Sequence, residues 1–300
     1  MSKVTASASV PASDDTDRHS AVAFQFVADL AAEVSAGRVE LPAFPDVATR
    51  VRKALADENL TPDHIARVVG SEAGLAARVM TLANSAALNR SGKNITELKT
   101  AINRIGHNNV RTAAVAFAIS QLRRAEELRP ISRELEGLWH EATMVAALCH
   151  ALATRTPGIN SDEAMLTGLI HNVGKIYILA RAHKHEELFA DPEAMGLIMR
   201  DWQANVGKAI IENWGFSQHI ADAVGEHEDS DRSVGYADLT DVLTIAVLAS
   251  TYVGQDGVDL ELNMQGVRAF SRLGLDNEKF AQVMRDCVEE INALRSALGE

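Results

Sequence analysis

From Ala21 almost to the C-terminus, apolar residues recur every three or four positions, which is the spacing of one face of an α-helix. Alanine, the strongest helix former, makes up about one residue in six. We find no segment that alternates apolar and polar residues as a half-buried strand does. The pattern therefore predicts an all-α protein.

Proline, glycine and capping residues divide this pattern into about a dozen helices. Thr61 is predicted to cap a helix that starts at Pro62, and Gly37 is predicted to end the first helix. That first helix covers about residues 21–36. The other predicted helices cover about residues 46–56, 74–87, 96–106, 108 onward, 131–154, 161–171, 173–182, 192–213, 217–226, 238–253, 264–273 and 278–298. No repeat of fixed period is present, so we expect an irregular multi-helix globular bundle rather than a solenoid.

Charge and cysteine content exclude several classes of protein. The chain carries 29 Lys and Arg against 41 Asp and Glu, a net charge of −12, which disfavours binding to nucleic acid or to anionic membranes. No apolar run reaches the roughly 18 residues of a membrane span, and residues 1–20 lack the apolar core of a secretory signal. Cys149 and Cys287 form no CxxC motif and no disulfide framework, so the expected location is the cytoplasm.

The segment His171-Asn172-Val173-Gly174-Lys175 is the strongest candidate for chemistry. An apolar helix ends in a histidine, an amide residue follows, and a glycine and a lysine open the next helix. Such a corner either presents polar side chains to a buried site or is a polar junction in which the glycine allows close packing. Spacing alone does not decide between the two.

This segment resembles the His-Asp-Ile-Gly-Lys core of the HD phosphohydrolase superfamily, and more of the chain resembles its HDOD branch, found in bacterial signalling proteins. The supporting motifs are Leu41-Pro42-Ala43-Phe44-Pro45, Ala76–Met80 with Leu82–Ala86, Ala101-Ile102 with Ile105-Gly106, Leu138-Trp139 and Trp214-Gly215-Phe216. Each motif is weak alone, but their order over residues 39–251 is specific. The resemblance implies an N-terminal helical lobe packed on an HD-like lobe.

We therefore expect three parts in the chain. Residues 1–18, rich in Ser, Ala, Thr and Asp, form a flexible tail. Residues 19–251 form the HDOD domain, with the N-terminal lobe at about 19–128 and the HD-like lobe at about 129–251. Residues 252–300 form closing helices, whose amphipathic end either completes the core or pairs with a second copy in a homodimer. The apolar positions of that end are Phe280, Val283, Met284, Cys287, Ile291 and Leu294.

Catalytic HD proteins hold a divalent ion with a first His, the adjacent His-Asp pair and a distant Asp, and the ion activates water for attack on a phosphoester. Here the resemblance keeps one ligand, His171, and places Glu141, Asn172 and Ser250 at the other positions. His140, about 100° around the helix from Glu141, is expected to point elsewhere. Amide and hydroxyl oxygens are poor ligands, so we expect a degenerate site without metal or other cofactor. Glu141 and His171 remain weak metal candidates.

Lys175 and His227 are further candidates for a ligand pocket at the degenerate site. His227 stands where related domains often carry paired histidines, and its alternative role is a solvated helix end. Cys149 and His150 lie in an apolar helix and are interpreted as core residues rather than as a nucleophile pair.

Two functions remain open at this point. The first is a non-catalytic signal-transduction module that binds a protein partner or a small ligand. The sequence shows no receiver, GGDEF or EAL segment, so its expected partners are response regulators or cyclic-dinucleotide enzymes acting in trans. The second is a residual metal-dependent phosphohydrolase that acts on a nucleotide or cyclic dinucleotide. A nucleic-acid-binding protein is disfavoured by the net charge of −12.

Overall fold

The structure is a computed structural model that describes residues 13–39, 41, 50–51, 61–89, 91–229, 231–251 and 267–299. Within these residues the regular elements are helices, which confirms the all-α prediction. A 3₁₀ segment covers Glu126–Ile131. The α-helices are α1 (Ser13–Ser35), α2 (Pro62–Gly70), α3 (Ala73–Asn84), α4 (Leu98–Leu122), α5 (Ser132–Thr154), α6 (Ser161–Ile170), α7 (Val173–Ala182), α8 (Glu186–Phe189), α9 (Pro192–Asn213), α10 (Gln218–Glu226), α11 (Leu239–Ser250), α12 (Arg268–Arg272), α13 (Asn277–Asp286) and α14 (Val288–Leu298).

Several predicted helix limits agree with the structure because they depend on local capping chemistry. The limits of α7 and α9 match the predicted 173–182 and 192–213. Thr61 caps α2 as predicted, with its hydroxyl accepting a hydrogen bond from the His64 backbone N–H and Pro62 in the first turn. α9 starts in the same way, with Asp191 as the cap and Pro192 after it.

The predicted limits of several helices are wrong. α1 begins at Ser13, so residues 13–18 of the predicted tail are helical, while residues 1–12 lie outside the described part. α4 is capped by Glu97 rather than Thr96, and it kinks at Gly106 (φ 76°) instead of ending there. The predicted helix 278–298 is two helices, because Cys287 (φ −105°, ψ 0°) interrupts it. The predicted helix 46–56 and proline-rich segment 41–45 fall largely outside the described residues.

A continuous hydrophobic core links the described helices, and α5 lies against α6, α11 and α14 within it. Two glycines allow close backbone contacts between helices. A Cβ atom on Gly168 of α6 would lie 2.8 Å from the backbone nitrogen of Ala146 of α5. A Cβ atom on Gly174 of α7 would lie 2.0 Å from the backbone oxygen of Gln203 in α9. These approaches fix the corner between α6 and α7 beside α5.

The C-terminal helices complete the core, as one of the two predicted alternatives requires. Their buried residues include Phe280, Cys287, Ile291 and Leu294. α14 packs against both α5 and α3. Its polar contacts include one between Oε1 of Glu290 and Nδ1 of the buried His150, 2.9 Å apart, and a hydrogen bond from Arg78 to the Leu298 carbonyl. None of the described helices is long and apolar enough to cross a membrane.

Candidate functional site

The corner between α6 and α7 presents His171 to α5. The imidazole is 1% exposed, and its Nδ1 lies 2.7 Å from the carbonyl oxygen of Gly168. A carbonyl only accepts hydrogen bonds, so Nδ1 carries a hydrogen and donates it. The other nitrogen, Nε2, lies 3.7 Å from Oε1 of Glu141 and has no hydrogen-bond partner. The structure thus brings together the two residues that the resemblance places at metal-ligand positions.

Asn172, the next residue, turns a hydrogen-bond donor toward Glu141. Its Nδ2 donates to the Leu138 carbonyl at 2.8 Å and to Oε2 of Glu141 at 3.3 Å. The reverse orientation of the amide would place its oxygen against two acceptors, so chemistry fixes the orientation. Its Oδ1 is buried without a hydrogen-bond partner. The position of an anionic ligand in catalytic relatives is thus held by a neutral donor.

Lys175 supplies positive charge to the same carboxylate. Its Nζ lies 3.1 Å from Oε1 of Glu141, and the two side chains are about one-quarter exposed. Burial alone would raise the pKa of the Glu141 carboxyl, but its contacts with His171 and Lys175 outweigh burial and hold the pKa well below its usual range. Glu141 is therefore ionised, and an ammonium group of the same chain neutralises it.

His227 lies in this site rather than at a solvated helix end. It is 4% exposed, and its ring meets the ring of His171 edge to face at a centroid distance of 5.9 Å. Its Nδ1 donates to the Val224 carbonyl at 2.9 Å, and its own carbonyl accepts from the Thr244 hydroxyl at 2.9 Å. Burial lowers the pKa of His227 to about 4. The imidazole is therefore neutral at neutral pH.

The remaining site candidates are placed as follows. The Ser250 hydroxyl donates to the Val247 carbonyl within α11, and the α11 side chain that reaches the site is Thr244. Thr244 was missed by sequence reasoning, since a threonine within an apolar helix carries no distinguishing signal. His140 is exposed and lies near Glu136 of its own helix, consistent with its predicted direction away from the site.

These residues do not fit the divalent ion of catalytic HD proteins. In the described part of the chain, no three His, Cys, Asp or Glu side chains are grouped as metal ligands. Moreover, the amide of Asn172 and the ammonium of Lys175 both direct hydrogens at Glu141, where a cation would need free lone pairs.

A helical bundle with a histidine–amide corner at its centre is the architecture of an HD-like domain. The family model of the HDOD domain matches residues 41–230, and the chain belongs to this family. The match lies within the predicted domain limits of 19–251.

Solved structures share this fold. A protein from Shewanella amazonensis SB2B, provisionally named a metal-dependent phosphohydrolase, matches with a TM-score of 0.73 at 22% identity. The superposition covers 93% of this chain and 99% of the Shewanella chain. An HDOD domain protein of unknown function from Geobacter sulfurreducens has a TM-score of 0.62 at 23% identity, covering 93% and 98%. A protein from Marinobacter aquaeolei VT8, provisionally named for signal transduction, has a TM-score of 0.56 at 17% identity, covering 94% and 66%. These identities establish a shared fold alone, and comparison with curated proteins finds no match.

The buried His227 should make stability depend on pH. Its pKa of about 4 in the folded chain is below the roughly 6.5 of an unfolded histidine, so the unfolded chain binds the proton first as pH falls. The contribution of the neutral imidazole to the free energy of unfolding is fully present above pH ~6.5. It is lost as the pH falls from about 6.5 to 4, by about 3 kcal/mol in all. Urea unfolding at several pH values across this interval should show that the free energy of unfolding falls more steeply with decreasing pH for wild type than for His227→Gln.

The matched control is His219→Gln, because His219 is exposed on α10, the helix that ends immediately before His227. This variant should follow the wild-type pH profile. Parallel pH profiles for wild type and His227→Gln would show that the imidazole does not resist protonation in the folded chain.

Proposed function

We propose that the chain is a non-catalytic regulatory module of bacterial signal transduction, in which the HD-like lobe is a scaffold for binding a protein partner or a small ligand. Membership of the HDOD family supports the regulatory role. The provisional signal-transduction name of the Marinobacter neighbour agrees with it. The partners that we propose are response regulators or cyclic-dinucleotide enzymes that meet this chain in trans.

The orientation of Asn172 is the observation that carries the non-catalytic part of this proposal. Its amide hydrogens point at the Leu138 carbonyl and at Glu141, so the residue acts as a donor where metal chemistry requires a lone pair. A water molecule activated for attack on phosphorus needs a cation held by such lone pairs. This supports the proposal that the site does not hydrolyse a phosphoester.

Residual metal-dependent hydrolysis is the second candidate function. Oε1 of Glu141 and Nε2 of His171 lie 3.7 Å apart, and a structural neighbour is provisionally named a metal-dependent phosphohydrolase. The two functions predict different metal contents. We expect wild type and His171→Ala, purified in parallel, to hold no stoichiometric Fe, Mn, Zn or Ni by plasma mass spectrometry. Neither protein should hydrolyse bis(p-nitrophenyl) phosphate or a cyclic dinucleotide with added Mn²⁺.

Asn172→Ala is the companion variant in the same metal analysis, because it removes the amide donor without adding a metal ligand. Near one metal per wild-type chain, lost together with phosphodiesterase activity in His171→Ala, would establish the enzyme instead. Activity that is equal in wild type and His171→Ala would mark a contaminating enzyme and would leave the metal content to decide.

A further inference from the structure

We propose that a cavity between the starts of α6 and α11 receives the guanidinium group of an arginine side chain on a protein partner. The cavity is separate from the His171 corner, because none of the site residues described above is among its described lining residues. The inference deepens the proposed function and rests on it, since it names the chemistry by which a partner would be held.

The cavity forms where three parts of the chain meet. The first turn of α6, one face of α10 and the segment that leads into α11 supply its walls. Its volume of about 450 Å³ lies within the roughly 300–1,000 Å³ of small-ligand sites. The space is therefore large enough for the end of one long side chain.

Tyr236 gives the cavity an aromatic wall that is open to solvent. The residue is 74% exposed. Phe24, Leu197 and Val288 are also large and exposed, but they do not line the cavity. The face of a tyrosine ring attracts a cation, and a planar guanidinium can stack on it. An exposed ring at the wall of a cavity is thus suited to a cationic side chain.

The cavity also carries more negative than positive charge. The carboxylates of Glu163, Asp222 and Asp238 line it, whereas Arg232 is the basic side chain among its described lining residues. Two of these carboxylates have cations of their own. Asp238 accepts a hydrogen bond from Nη1 of Arg232 at 2.9 Å, and Asp222 accepts one from Nζ of Lys208 at 2.7 Å. The third, Glu163, is the group that a partner's cation would meet.

Glu163 makes no ion pair with a Lys or Arg in the described part of the chain. Its Oε1 accepts a hydrogen bond from the Ser217 hydroxyl at 3.0 Å, and Arg111 of α4 attracts it from a longer distance. Its place in the first turn of α6 stabilises the negative charge in the free chain. A guanidinium can donate to this carboxylate while its flat face covers Tyr236, which a compact ammonium does less well. The two groups together favour arginine over lysine.

The overall charge favours a protein partner as the source of this cation. With a net charge of −12, the chain attracts a basic surface from a distance and orients it on approach. A free guanidinium would gain one ring face and one carboxylate, which is a weak site alone. An arginine within a protein interface adds these contacts to the rest of the buried surface.

The test measures binding of a fluorescein-labelled Gly-Ser peptide that contains arginines to the full chain, by fluorescence anisotropy at physiological salt. Glu163→Gln and Tyr236→Leu should each weaken binding by about threefold or more. The same peptide with citrulline, which has the shape of arginine without its charge, should show no binding. The peptide with lysine should bind more weakly than the arginine peptide.

Two matched controls separate the cavity from the overall charge. Glu278→Gln removes an exposed carboxylate from the first turn of α13, and Phe24→Leu removes an exposed ring from α1. Both should bind the arginine peptide within about twofold of wild type. Equal weakening in Glu163→Gln and Glu278→Gln would show that the peptide follows net charge, against the inference. If Glu163→Gln does not fold by circular dichroism, Tyr236→Leu decides, because it changes an exposed residue.

Other results would also overturn the inference. These are a wild-type chain that binds no arginine peptide, a Tyr236→Leu variant that binds as wild type does, and a lysine peptide that binds as tightly. N-acetyl-arginine amide that binds as tightly as the peptide would assign the cavity to a small free cation instead of a partner. Stoichiometric metal with phosphodiesterase activity in wild type would overturn the proposed module and leave the peptide binding unchanged.

Discussion

Gly174→Ala should destabilise this protein by about 3 kcal/mol or more, among the largest effects expected of a single methyl group. The new Cβ would lie 2.0 Å from the Gln203 backbone oxygen and 2.8 Å from the Gly207 backbone nitrogen. Both atoms belong to the main chain of α9, so no side-chain rotation can relieve the overlap. α7 and α9 would have to separate, and α7 begins at the candidate site.

The matched control is Gly137→Ala. Gly137 is also helical, but it is exposed on α5 and a Cβ there meets nothing within 4 Å. Alanine should stabilise that helix by about 0.5–1 kcal/mol. Urea unfolding monitored by circular dichroism should therefore move the two variants in opposite directions. Equal stability of Gly174→Ala and wild type would mean that the two helices are not in backbone contact in solution.

Asp241→Ala should cost about 3–5 kcal/mol, the usual effect of removing one partner from a buried ion pair. Asp241 is 1% exposed on α11 and accepts two hydrogen bonds from Arg272, at 2.9 Å and 2.5 Å. It also lies 3.5 Å from Arg232 and forms the capping box of α11 with Asp238. The substitution would leave two arginines short of an acceptor and would remove part of a helix cap.

Two comparisons make this prediction specific. Asp201→Asn disrupts an ion pair between exposed side chains, with Arg200, and should change stability by less than about 0.5 kcal/mol. Combining Asp241→Leu with Arg272→Met should cost less than Asp241→Ala, because Arg272 is then not left without its carboxylate partner. If Asp241→Ala unfolded at the same urea concentration as Asp201→Asn, the arginines would not depend on Asp241.

Local chemistry explains which parts of the fold the sequence predicts. The cap at Thr61 and the start at Pro192 depend on neighbouring residues, and the structure has them as expected. The break at Cys287 was missed because one non-helical residue hardly disturbs the apolar spacing on either side of it. The helical state of residues 13–18 was missed because their polar composition offers no apolar stripe.

The candidate site shows the same division between local and distant information. The resemblance placed Glu141 and His171 at related positions, and the structure brings them together. Burial of His227 was not predictable, since acidic residues follow it in sequence and its contacts with His171 and Thr244 join distant parts of the chain. The contact between Lys175 and Glu141 spans 34 positions and joins two helices, so no local pattern reveals it.

The attachment of α14 has a consequence for dissecting this protein. The family match ends at residue 230, yet α11 and α14 both pack on α5 beyond that limit. A fragment cut at the family boundary would expose the faces of α5 that these helices cover and would leave His150 without Glu290. The unit that folds and can be expressed is therefore longer than the unit that homology recognises, and truncations should be designed to keep α14.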